Sequence, residues 1–157
     1  MRVRSESVCA FVFRGAAPGV RYLMLRRAAA RGGFWQSVSG HVKREEGAEG
    51  AARREVREET GFEPRAVIPL EKVNVFFEPD DDAVYLEPCF GVEVTGDEPA
   101  LSHEHDGYCW ATIADALRLV PFAGVRDALA ELDRRLAAAG PSGGEPARTG
   151  RPSTRPD

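Results

Sequence analysis

The stretch SGHVKREEGAEGAARREVREETGF, Ser39 to Phe62, constrains the fold most strongly, because it holds a helix whose packing face is built from alanine and glutamate. From about Ala48 to Thr60 the residues are mostly Ala, Arg and Glu, all good helix formers, and Gly61 stands just beyond as a stop. At about 100° per residue, Ala48, Ala51, Ala52, Glu55, Glu58 and Glu59 share one face, while Glu49, Arg53, Arg57 and Thr60 lie opposite. Glu49 and Arg53 are an i, i+4 pair in the favourable order and Arg57 continues the row, so this second face is predicted to meet water. The alanine stripe then packs on a sheet, and the three glutamates that continue it are predicted to point inward or into a cleft.

Three ionised carboxylates about 6 Å apart repel by about 3 kcal/mol per pair at an effective dielectric of 20. Arg54, four residues before Glu58, offsets one charge and leaves the cluster negative. An inward carboxylate in such a cluster is expected to have a raised pKa. A hard divalent cation is the partner that suits it, since Mg²⁺ takes a few carboxylate oxygens and fills its other positions with water and substrate phosphate.

Around this helix the chain reads as strands. SVCAFVF and RYLMLRR, separated by the turn GAAPG, are neighbouring strands, and FWQSVSG is a third extended piece ending at Gly40. AVIPLEKVNVFFEP and AVYLEPCFGVEV, joined across DDD, are predicted to form a long hairpin, with YCWATI as one more strand. Thr112 and Asp115 cap a short helix, and PFAGVRDALAELDRRLAAA forms another, with Pro near its first turn and Gly140 at its end. Leu117, Val125, Leu129, Leu132 and Leu136 supply the apolar stripe of these last helices. The expectation is one α/β domain over residues 1–139, a mixed sheet flanked by helices. Residues 140–157, GPSGGEPARTGRPSTRPD, have no apolar periodicity and are expected to be a disordered tail.

A net charge of −4 with no basic stripe gives a nucleic-acid polymer no electrostatic support. Cys9, Cys89 and Cys109 are odd in number and far apart, which argues for reduced thiols rather than a disulfide framework or a zinc knuckle. No apolar run is long enough for a signal peptide or a membrane span, so a cytoplasmic protein without a membrane partner is expected. A homodimer is compatible with the sequence.

Gly40, five residues, Glu46, seven residues and then Arg54-Glu55-Val56-Arg57-Glu58-Glu59-Thr60-Gly61-Phe62 resembles the box of the Nudix hydrolases with every fixed position filled. Seven fixed residues, each met about one time in ten, arise by chance at roughly 10⁻⁷ per start position. The resemblance implies an α/β/α sandwich with a mixed β-sheet. It implies Mg²⁺ (or Mn²⁺) held by Glu55, Glu58, Glu59 and the Gly40 carbonyl, with Glu46 and Arg54 supporting the loop and helix. Glu104, just before a Trp-containing strand, fits the place where many members add a glutamate. Glu58, Glu104 and Arg54 are then the catalytic group, with Glu58 or Glu104 as general base.

The chemistry so implied is attack of water on phosphorus in a nucleoside diphosphate linked to another group. Arg26, Arg27, Lys43 and Arg44 can meet phosphates through their cations, and Trp35 can stack on a base or pterin ring. His103 and His105 are expected to be solvated loop residues and stand outside the site. RYLMLRR, FWQSVSG and HEHDGYCW look most like the dihydroneopterin triphosphate and dATP pyrophosphohydrolases of the family, so a nucleoside or pterin triphosphate is the first expectation. Alternatives are a dinucleoside polyphosphate or an ADP-ribose-type diphosphate, and a domain that binds a nucleotide without cutting it. A calcium-stabilised helix is disfavoured, because the loop lacks closely spaced oxygen ligands.

Overall fold

A computed structural model describes residues 1–140; the expected tail beyond them lies outside the described residues. Eight strands form one mixed sheet: β1 (Arg2–Arg4), β2 (Ser7–Arg14), β3 (Arg21–Arg27), β4 (Trp35–Gln36), β5 (Val38–His41), β6 (Ala66–Glu78), β7 (Ala83–Glu93) and β8 (His105–Ala111). β1 and β2 both pair with β7 in parallel, and every other pairing is antiparallel. Helix α1 (Ala48–Thr60) covers one face; α2 (Ile113–Leu119) and α3 (Ala123–Ala139) are on the other side.

Period-two alternation in the strands splits the core into two layers. Val8, Ala10 and Val12 of β2 pack with Ala51, Ala52 and Val56 of α1, while Cys9, Phe11 and Phe13 pack with Leu129 and Leu132 of α3. The alanine stripe lets α1 sit close to the sheet, as its composition predicts. This is the expected α/β/α sandwich.

Four details depart from the sequence reading. β1 was not anticipated, since RVR has no apolar run; backbone pairing to β7 holds it, with Val3 opposite Val84. FWQSVSG is two strands rather than one, β4 on β3 and β5 on β2, because Ser37 between them turns inward to place its hydroxyl 3.2 Å from Cys9 Sγ. β8 begins at His105, five backbone positions ahead of Trp110. Thr60, assigned to the water face, is fully buried, donating to the Val56 carbonyl and accepting from Phe62 N–H. Val56 explains this: it lies about 100° from Glu55 on the helix and draws the buried arc toward Thr60.

Candidate active site

The loop from Gly40 to Gly47 and helix α1 are joined by one guanidinium. Arg54 donates to both oxygens of Glu46 at 3.0 and 2.9 Å, to Glu55 at 2.6 Å, to Glu58 at 3.1 Å and to the His41 carbonyl at 2.7 Å. Glu46 also accepts from the Lys43 backbone N–H at 3.0 Å. A planar fork can serve this many acceptors where an ammonium cannot. Against the sheet, the carboxyl of Glu55 lies directly over Gly40, so close that a Cβ there would sit 2.0–2.4 Å from its atoms.

These contacts hold Glu46 low, at about 2, first through the hydrogen bonds from Arg54 and then through that from Lys43. A carboxylate with a depressed folded pKa contributes stability that is present above its unfolded value and lost as pH falls through the folded one. Melting temperatures taken from pH 6 down to pH 2 should therefore show wild type losing its advantage over Glu46→Gln between about pH 4.5 and pH 2; a constant difference across that range would contradict the ion pair.

Glu55, Glu58, Glu59, Ser102, His103 and Glu104 line a cleft of about 190 Å³. The three helix glutamates do not enter it equally. Glu59 is 5% exposed, Glu55 is half-buried, and Glu58 is an exposed rim residue that also meets Lys43 Nζ at 3.5 Å, not an inward one. The reason is again the position of the buried arc, whose centre lies closer to Glu59 than to Glu58. Burial, then the charges of Glu55 and Glu104, push the Glu59 carboxyl up to about 8, with Arg27 pulling the other way. Its Oε2 is buried without a hydrogen-bond partner.

Glu104 stands on the loop before β8, its side chain 3.7 Å from Arg31. That loop is stitched to the end of α1: Ala100 N–H donates to the Thr60 carbonyl at 2.8 Å and Ser102 N–H to the Glu59 carbonyl at 3.4 Å. Gly61, at φ 71°, closes the helix beneath it and meets Ala100. The long-range placement of Glu104 beside Glu59 thus comes from backbone pairing.

Among the proposed substrate contacts, Arg27 is half-buried and near enough to Glu59 to act on its charge. Lys43 is on the rim beside Glu58. Arg26 turns to Asp106 at 2.7 Å and lies 5.8 Å over the Trp35 ring, and Trp35 itself is half-buried against the core. Arg44 is exposed.

Ser102 at the cleft and Arg31 beside Glu104 were missed, because a single charged or polar loop residue carries no periodic signal. His105 is corrected: it is 5% exposed, bonded to Gln36 at 2.9 Å, and burial followed by Arg27 lowers its pKa. His103 is exposed, as expected, yet it borders the cleft.

The family model for the NUDIX domain matches residues 3–132. An octanoyltransferase of Myxococcus xanthus is 34% identical over 124 residues, which are 78% of this chain and 35% of that protein, so the chain spans about a third of the length of this curated relative. A NUDIX-family structure from Listeria monocytogenes superposes with a TM-score of 0.72 at 24% identity, covering 86% of this chain and 96% of the other. The dihydroneopterin triphosphate pyrophosphohydrolase of E. coli gives a TM-score of 0.65 at 24% identity, covering 87% and 100%. At such identities the two structures speak for the fold. With the domain match spanning most of its length and the box complete, the chain belongs to the NUDIX family of hydrolases.

Proposed function

We propose that the chain hydrolyses a phosphoanhydride bond of a nucleoside or pterin triphosphate with Mg²⁺, or Mn²⁺ in its place. The observation that carries this reading is the buried Glu59 carboxyl, with Oε2 unpaired, walled by Glu55, Glu58 and Glu104. Among the described residues, no three acidic, histidine or cysteine side chains already converge as a closed ligand shell. Glu55 and Glu58 are drawn to Arg54 instead.

The donor set fits a hard divalent ion: carboxylate oxygens from Glu55, Glu58, Glu59 and Glu104 with the Gly40 carbonyl, and no sulfur. Such an ion supplies polarisation of phosphoryl oxygens and an acidified bound water. Lys43 beside Glu58, Arg31 beside Glu104 and Arg27 near Glu59 offer cations to the phosphate chain. Glu58, exposed on the rim, or Glu104, across from it, takes a proton from the attacking water as its oxygen joins phosphorus and the bond to the leaving phosphate breaks. Arg54, with its donors already engaged, is a positioning residue in this scheme.

The intact box disfavours a domain that only binds a nucleotide. The activity of the Myxococcus relative is not carried over, because the match spans 35% of that protein. A panel of nucleoside triphosphates, dihydroneopterin triphosphate, dinucleoside polyphosphates and ADP-ribose, assayed with Mg²⁺ or Mn²⁺, should show release of pyrophosphate or phosphate, fastest from a triphosphate. No release from any member would overturn the hydrolytic reading; a diphosphate-linked compound as best substrate would overturn the triphosphate.

A further inference from the structure

The hairpin of β6 and β7 extends beyond the helices as an arm with an uncovered apolar face. Val73, Val75 and Phe77 alternate along β6 and are 51%, 56% and 52% exposed. Across the ladder Val75 stands opposite Leu86 and Phe77 opposite Val84, and Val84 in turn pairs with Val3 of β1, itself 68% exposed. Opposed residues share a sheet face, so these six side chains form one apolar surface on three strands. Helix α3 lies over the other face, where Gly124 packs against the Asn74 amide.

This arm also ends in a free edge. Among the described residues β6 pairs along one side only, with β7. Arg135 caps the edge carbonyls of Pro69 and Leu70 at 3.2 and 2.6 Å, and among the described residues no side chain donates to a backbone carbonyl from Lys72 to Phe77. No proline interrupts that stretch; Pro69 precedes it and Pro79 follows. The register of β6 shifts between Pro69 and Val73, and the regular apolar edge that runs on from Val73 to Phe77 has no bulge or inward charge, which makes it a template for another strand.

We propose that the occupant is a second copy of the chain, with β6 pairing antiparallel to its mate about a two-fold axis at Val75. Charge complementarity selects both the partner and the register. Centred on Val75, each Lys72 faces the partner subunit's Glu78, and this pairing occurs twice. On the apolar face Val73 meets the partner's Phe77, and Val75 meets the partner's Val75. Side chains keep to their own faces, as an antiparallel two-fold requires. Shifting the centre to Phe76 puts Pro79, which has no N–H, into the ladder opposite Val73. Shifting it to Asn74 sets Lys72 against Phe76 and Glu71 against Phe77. The chain's own terminus is a poor alternative cover, since residues 141–157 contain no aliphatic side chain larger than Ala147 and Pro, and no aromatic one.

The test is sedimentation velocity of the full chain over a concentration series, with hydrogen exchange of β6. Wild type should sediment at twice the chain mass, with amides in 73–77 protected as concentration rises. Val75→Lys, at an exposed position, should raise the dimer dissociation constant at least about 100-fold while the melting temperature at low concentration is unchanged. Lys72→Glu should weaken the dimer about tenfold by setting like charges opposite one another, and Lys72→Glu with Glu78→Lys should restore it. A wild-type monomer at all concentrations would overturn the proposal, as would a dimer indifferent to Val75→Lys. Failure of the double charge swap to rescue would overturn the register. Appearance of the dimer only after deletion of 141–157 would identify the terminus as the occupant and overturn the proposal for the full chain.

Discussion

Glu58→Gln is expected to lower the rate of hydrolysis by at least about a hundredfold while leaving the fold intact. Its exposed position makes the two effects separable. The side chain is 51% exposed, and its contacts are with Arg54 and Lys43 at the surface. Exposed ion pairs of this kind contribute about 0–1 kcal/mol, and glutamine keeps the shape and one acceptor for Arg54. What the substitution removes is a negative oxygen at the cleft rim, needed in the proposed scheme to hold the cation or to take the proton of water. General-base loss alone is worth about 10²–10⁴ in rate. Initial rates with saturating Mg²⁺, beside a thermal melt, check both halves; near-normal turnover would remove Glu58 from the machinery and leave Glu104 as the candidate base.

Gly40→Ala should be nearly as damaging, by a different route. The added Cβ would fall 2.0 Å from the Glu55 carboxyl carbon and 2.2 Å from one of its oxygens. The obstructing atoms are the tip of a flexible side chain, so the backbone need not break; Glu55 must move instead. That takes it from the cleft and loosens its 2.6 Å bond to Arg54. We expect a fall in activity of about a hundredfold or more with a stability loss of about 1–2 kcal/mol, an overpacking cost. Weaker thermal stabilisation by added Mg²⁺ should accompany it, because a ligand that binds only the folded chain raises its melting point in proportion to occupancy. Wild-type activity in Gly40→Ala would mean that the glycine is kept for something other than the approach of Glu55.

Much of this site was legible in one segment, because a helix and its preceding loop repeat at a fixed local period. Glu49 and Arg53 meet at 3.1 Å on the water face, Ala51 and Ala52 are fully buried, and the helix ends at Gly61. The wheel failed where it treated glutamates as the centre of the inner face. Val56 and Thr60 pull the buried arc around the helix, which submerges Glu59 and leaves Glu58 on the rim. Ser102 and Arg31 were not legible, since their placement beside Glu104 depends on long-range backbone pairing. His105 was misread for the same reason: its burial follows from β8 starting early and docking on Arg27, which no local pattern announces.

The stitching of α1 to the loop before β8 has an electrostatic consequence. Glu58 and Glu59 occupy the last turn of the helix, where the macrodipole is already negative and cations are favoured. The helix therefore ends against its own dipole, and its terminal carbonyls need donors from outside. Ala100 and Ser102 supply two of them, with Gly61 folding the chain back beneath. The segment that quiets the helix terminus is the one that delivers Glu104, so the capping of a helix and the spacing of a charge cluster are one adjustment. Lengthening that loop by a residue would cost the enzyme both.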